Sequence, residues 1–227
     1  MAPARTGGDD GGRRQSGLSA AHWSLGGRMR TIAFVHQKGG TGKTTLAIAT
    51  AMALAQTGAK VLLIDADVQG TASEWASRWG DRYRVVARSQ IQPIVHDQVA
   101  RFAPTFEWMI VDGPPTLSEM TASILRAADR VLVPVRPSLP DIWALEGLAA
   151  MLEQVKQAGA AAQTLVLWNQ VVEWPTAAMR TAVETLGFTI SPAVLRWEVP
   201  WSRVMEGERL SSNSAECLRR LAMEPWK

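Results

Sequence analysis

The chain has 227 residues, of which 47% are hydrophobic and 20% charged, and a net charge of +3 at neutral pH; this suits one substantial α/β domain with its own core. It holds no run of about 18 uninterrupted apolar residues, and its N-terminus lacks the apolar segment and cleavage site of a signal peptide, so the expected location is cytoplasmic. The single cysteine, Cys217, excludes an internal disulfide, a CxxC metal knuckle and an iron–sulfur cluster built by this chain alone.

Residues 1–28 carry Arg5, Arg13, Arg14 and Arg28 against Asp9 and Asp10 and are rich in Gly, Ser, Arg and Ala. Without apolar periodicity they are expected to form a disordered tail. Because Met29 stands directly before the first strand pattern, a mis-assigned start is the alternative. Residues 29–227 are expected to form one domain. Apolar runs at 31–35, 60–65, 83–87, 108–112, 130–135 and 164–168 predict strands. Helical patterns fall at 43–57, 71–79, 94–102, 117–127, 140–158, 175–186, 201–206 and 213–223. This alternation predicts an α/β fold, a mostly parallel twisted sheet with helices on both faces. Trp75, Trp79, Trp108 and Trp168 lie on these patterns and are expected to pack rather than to stack on bases.

The first strand runs into HQKGGTGKTT, His36 to Thr45. Strand, glycine loop and helix together place backbone N–H groups and a helix N-terminus around phosphate oxygens. Lys43 is placed to reach β- and γ-phosphates and the Thr44 hydroxyl to ligate Mg²⁺. The pattern G-x-x-x-x-G-K-[ST] is not met in full, since Gln37 occupies the position of its first glycine. The form K-G-G-T-G-K-T resembles the deviant Walker A motif of the ParA/MinD superfamily. That resemblance implies a P-loop ATPase using ATP and Mg²⁺, with Lys38, Gly39, Gly40, Thr41, Gly42, Lys43, Thr44 and Thr45 around the nucleotide. It also implies a homodimer closed by ATP, in which Lys38 crosses to the partner's phosphates.

Further along, the second strand ends in LLIDADVQG. The i, i+2 spacing points Asp65 and Asp67 the same way. The superfamily's stretch here is D-x-D-P-Q, and Val68 replaces the proline. By resemblance Asp67 positions or activates the attacking water, and Asp65 supports the lysine and magnesium network. WMIVDGPP resembles a Walker B strand, which makes Asp112 a magnesium ligand, usually through water. The stretch 128–148 resembles the superfamily segment that packs below the nucleotide and shapes the dimer face. Asn169 falls where relatives hydrogen-bond adenine, and 191–208 resembles the late base-side segment.

The implied function is that of a small ParA-type ATPase, without a helix-turn-helix domain, that moves or spaces a cargo on the nucleoid. A centromere-binding or adaptor protein stimulates hydrolysis. Non-specific duplex DNA is expected to meet Arg180, Arg196, Arg203, Arg219 and Arg220 through its phosphates. Membrane cycling like that of MinD is the alternative, since Leu218, Leu221 and Ala222 with Arg219, Arg220 and Lys227 form an amphipathic end; docking of that helix on the sheet explains the pattern equally well. A P-loop small-molecule kinase or ligase is the rival enzyme class, and it leaves Lys38 without a task.

Overall fold

The computed structural model describes residues 28–197 and 199–224, with only the backbone described at 199 and 200. The expected disordered tail lies outside these residues except for Arg28. Seven strands form one all-parallel sheet: β1 (Arg30–Phe34), β2 (Val61–Asp65), β3 (Val85–Ser89), β4 (Trp108–Asp112), β5 (Arg130–Val135), β6 (Gln163–Val171) and β7 (Thr189–Arg196). Their spatial order is β3-β2-β4-β1-β5-β6-β7. The inner strands are apolar on both faces because helices cover both: β2 and β4 are buried at every position.

One core layer is built by α1 (Lys43–Ala55), α2 (Thr71–Tyr83), α8 (Val199–Arg203) with the 3₁₀ turn Val204–Glu206, and α9 (Ser212–Met223). The opposite layer holds α3 (Val95–Phe102), α4 (Glu119–Ala127), α5 (Leu139–Trp143), α6 (Leu145–Gln157) and α7 (Ala177–Thr185). From β1 the chain runs outward to β2 and β3, returns to β4, then crosses β1 to β5. The loops after β1 and β4 therefore leave neighbouring strand ends in different directions and open a crevice there, the usual binding place in such sheets.

Three departures from the expected elements have local causes. The strand expected at 83–87 begins at Val85, because α2 continues through Tyr83, whose hydroxyl donates to the Gly207 carbonyl (2.7 Å), and ends on Arg84 in the left-handed region. The helix expected at 140–158 breaks at Ala144 into α5 and α6. The unexpected strand β7 contains Pro192, which a sheet tolerates at its edge.

Of the four tryptophans expected to pack, Trp75, Trp108 and Trp168 are buried and Trp79 is partly buried. Trp75 Nε1 donates to the Val204 carbonyl (2.8 Å) and Tyr83 to that of Gly207, so α2 clamps the 3₁₀ turn. Gly207 has φ +73°, and a Cβ there would enter the Trp79 ring. On α9, Ala215, Leu218, Leu221 and Ala222 are buried in the α1 layer. Gly207→Ala combines a left-handed backbone with overpacking, and is expected to lower stability by about 2–4 kcal/mol in urea unfolding.

Candidate functional site

The loop between β1 and α1 carries two left-handed glycines, Gly40 and Gly42, the second being the N-cap of α1. No side chain caps this helix, and its first turn contains no acid. Its open N–H groups and positive end form a seat for an anion. Lys43, the first helical residue, is buried and turned into the loop, where its Nζ donates to the Lys38 carbonyl (3.1 Å). Burial lowers its pKa, while Asp112 and Asp67 pull the other way. Thr44 and Thr45 follow on the same turn.

Asp65 and Asp112 stand side by side at the ends of β2 and β4, where they are partners in the strand register. Asp65 is buried and already engaged: its carboxylate accepts from the Ser73 N–H (2.7 Å) and the Asp67 N–H (3.3 Å). Asp67 in turn accepts from the Gln69 N–H (3.1 Å). Neither carboxylate oxygen of Asp112 has a hydrogen-bond partner among the described residues, and the Thr41 hydroxyl is likewise buried and unpartnered. Burial pushes the Asp112 carboxyl up to about 7, with Asp65 and Asp67 adding to the rise and the Thr44 hydroxyl and Lys43 opposing it. A buried carboxylate without a partner, beside a threonine hydroxyl and an uncapped helix end, fits a divalent cation held between protein and phosphate oxygens.

Lys38 lies apart from this group. Its Nζ forms an ion pair with Asp141 of α5, which is fully buried and also receives the Arg136 guanidinium at 2.6 and 3.0 Å. Burial alone would raise the Asp141 pKa; the hydrogen bonds from Arg136 and Lys38 outweigh it and hold the carboxyl down at about 2. The buried imidazole of His36 accepts from the Lys38 N–H at Nδ1 (2.9 Å). Burial lowers its pKa to about 4. Motif reading gave no role to Asp141, Arg136 or His36. The signal for Asp141 was an acid in the first turn of a short helix, five residues after an arginine.

Asn169, at the carboxyl end of β6, is buried and donates from Nδ2 to the Thr41 carbonyl (2.8 Å); Gln170 donates to the Gly40 carbonyl (2.9 Å). A Cβ on Gly42 would collide with the Asn169 amide, so both its φ of +95° and this approach require glycine. The five candidate DNA arginines are not brought into one patch. Arg180 lies on α7 and Arg196 at the end of the edge strand β7. Arg219 and Arg220 lie on α9, in the opposite layer from α7, and pair with Glu216 and Glu224. Arg203 pairs with Glu208 (3.4 Å).

The His36 pKa is about 4 in the fold against an ordinary 6.5. Between these values the unfolded chain binds more protons, so this contribution to stability is complete above pH 6.5 and is lost as pH falls toward 4. Chemical denaturation from pH 7 to 4.5 should show wild-type stability falling relative to His36→Asn, by up to about 3 kcal/mol.

Residues 32–209 match the family model described as the CobQ/CobB/MinD/ParA nucleotide binding domain. The maintenance of carboxysome distribution protein A of Halothiobacillus neapolitanus is 31% identical over 186 residues, 78% of this chain and 84% of the relative. The chromosome-partitioning ATPase Soj of Thermus thermophilus is 34% identical over 161 residues, 58% of this chain and 65% of the relative. Among solved structures, MinD of Aquifex aeolicus superposes with a TM-score of 0.67 at 21% identity, covering 87% of this chain and 98% of that one. Apo McdA of Cyanothece superposes with a TM-score of 0.70 at 18% identity, covering 85% and 98%. The match along most of the chain, on a loop that carries both lysines, means that this chain belongs to the ParA/MinD superfamily of deviant Walker A ATPases.

Proposed function

We propose that the chain is an ATP-hydrolysing positioning protein whose ATP-bound form is a face-to-face homodimer on duplex DNA. The observation that carries this reading is the placement of the two lysines. Lys43 points into its own phosphate loop, whereas Lys38 turns out of it toward Asp141, at a partly exposed position from which it can serve a second subunit. The distribution of apolar surface supports the same face. Of the eight exposed large hydrophobic side chains among the described residues, seven follow the carboxyl ends of strands: Val68, Ile91, Leu139, Trp143, Val172, Trp174 and Trp197. They lie beyond the same carboxyl edge of the sheet as the nucleotide loop, where exposed apolar surface fits an interface.

In this reading the N–H groups of residues 39–45 and Lys43 hold the phosphates, and Thr44 with Asp112 would hold Mg²⁺, which when bound supplies charge neutralisation at the β- and γ-phosphates. Asp67 orients the attacking water and accepts its proton, and Asp65 holds the Asp67 backbone in place. Asn169 faces the base side of the loop, where relatives contact adenine. Lys38 leaves Asp141 and stabilises charge on the partner's nucleotide. A stimulating adaptor or centromere-binding protein sets the turnover. The cargo is of the kind that the names of the carboxysome-distribution and chromosome-partitioning relatives indicate. DNA contacts are non-specific and come from among Arg180, Arg196, Arg203, Arg219 and Arg220, acting on phosphates.

Cycling on a membrane through α9 has less support, because the apolar side chains it would need are packed against α1. Among the described residues no helix is long and apolar enough to cross a membrane. The deciding experiment uses Asp67→Ala, expected to bind ATP without hydrolysing it. Random duplex DNA should be bound with ATP and not with ADP or without nucleotide, and the affinity should fall steeply as salt rises. Binding that ignores the nucleotide, or no binding at all, would sink the DNA-based reading.

A further inference from the structure

We infer that Gln170 is a positioning residue for the phosphate loop, forming with Asn169 a pair of amides that fixes the loop's carbonyls; this rests on the nucleotide reading above. In a regular strand, successive side chains point to opposite faces, so Asn169 and Gln170 could not both reach the same loop. Here they do. Asn169 Nδ2 donates to the carbonyl of Thr41 (2.8 Å) and Gln170 Nε2 to that of Gly40 (2.9 Å), the residues immediately before Gly42 and the uncapped start of α1.

The backbone shows how. Between Trp168 and Val171 the register with β7 shifts, three steps on β6 facing two on β7, from Val194 to Arg196. The extra residue is accommodated by Gln170 in the left-handed region, φ +55°, one of two non-glycine residues with positive φ among those described. Such a bulge re-aims side chains, and a left-handed glutamine carries strain that surrounding contacts must hold in place. The contact that it makes is the one to Gly40.

Each peptide unit is planar, so anchoring a carbonyl also orients the N–H across the same peptide bond. Holding the carbonyls of Gly40 and Thr41 toward β6 aims the N–H groups of Thr41 and Gly42 away from it, toward the proposed phosphate site. The loop's peptide planes are thus fixed by contacts within the chain itself, which lowers the ordering needed on binding. The contact from Gln170 acts on phosphate, not on the base.

The test uses the full chain, wild type and two variants. Gln170→Gly keeps the left-handed backbone and removes the amide; Gln170→Met keeps the side-chain length and the strain and removes only the donor. Calorimetry with Mg²⁺ measures Kd for inorganic pyrophosphate and for ATP. Both variants should bind both ligands about three- to tenfold more weakly, by the same factor for the two ligands, with the apo melting temperature of Gln170→Gly at or above that of wild type. A loss for ATP alone would put the amide on base or ribose and overturn the inference. Unchanged affinities would overturn it too, as would a loss in Gln170→Met alone, which would assign the effect to strain. Wild-type protein that bound neither ligand would overturn the nucleotide reading itself, a failure distinct from the other three.

Discussion

A carboxylate with no exposed surface cannot stay ionised without cations beside it, and Asp141 has two, from different parts of the chain. Arg136 comes from the segment just after β5 and Lys38 from the loop after β1. Removing either would leave a buried charge under-compensated, so the three groups hold one another in place. The geometry of this edge of the sheet follows from that requirement. It sets where the loop after β1 begins, how α5 lies against it, and why Lys38 points away from Lys43. His36 adds a neutral brace from below, accepting the Lys38 N–H while staying uncharged in its buried setting.

The interior of the phosphate site is the opposite case. Asp112 and Lys43 are both buried and both shifted toward their neutral forms, and the Asp112 carboxylate has no hydrogen bond among the described residues. The fold thus leaves the Asp112 carboxylate unpartnered among the described residues while satisfying that of Asp141. Groups left in this condition concentrate where a charged ligand completes them. The buried Asp112 carboxylate therefore lies where a cation and phosphate are proposed to complete it.

Much of this was legible in the sequence, for reasons that differ by element. Strands β1, β2, β4 and β5 are inner strands of a parallel sheet, so they appear as unbroken apolar runs, and Asp65, Asp67 and Asp112 stand at strand ends where a short motif can reveal them. What was missed depends on distant partners. The Lys38–Asp141 pair joins residues more than a hundred positions apart, and no local pattern marks it. The strand β7 escaped because Pro192 and a shifted register hide its alternation at an open edge. The end of α2 was misplaced because Tyr83 has a strand-like composition but is held in the helix by Gly207, 124 positions later. Gln170 showed nothing unusual as a letter; its left-handed backbone exists only in the folded sheet. The tail before Arg28 and the last three residues lie outside the described structure.

The strand order has a consequence for how the protein is made. Of the described strands β1 leaves the ribosome first; it is the central one, and its two neighbours are β4 and β5. At ordinary synthesis rates of about 5–20 residues per second, β1 waits several seconds before either neighbour exists, while β2 and β3 can already pair with each other. The nascent chain therefore carries its glycine loop on an apolar strand without its neighbours until β4 is made. The strand that supplies β1's first neighbour thus also delivers Asp112, the acid proposed to complete the site.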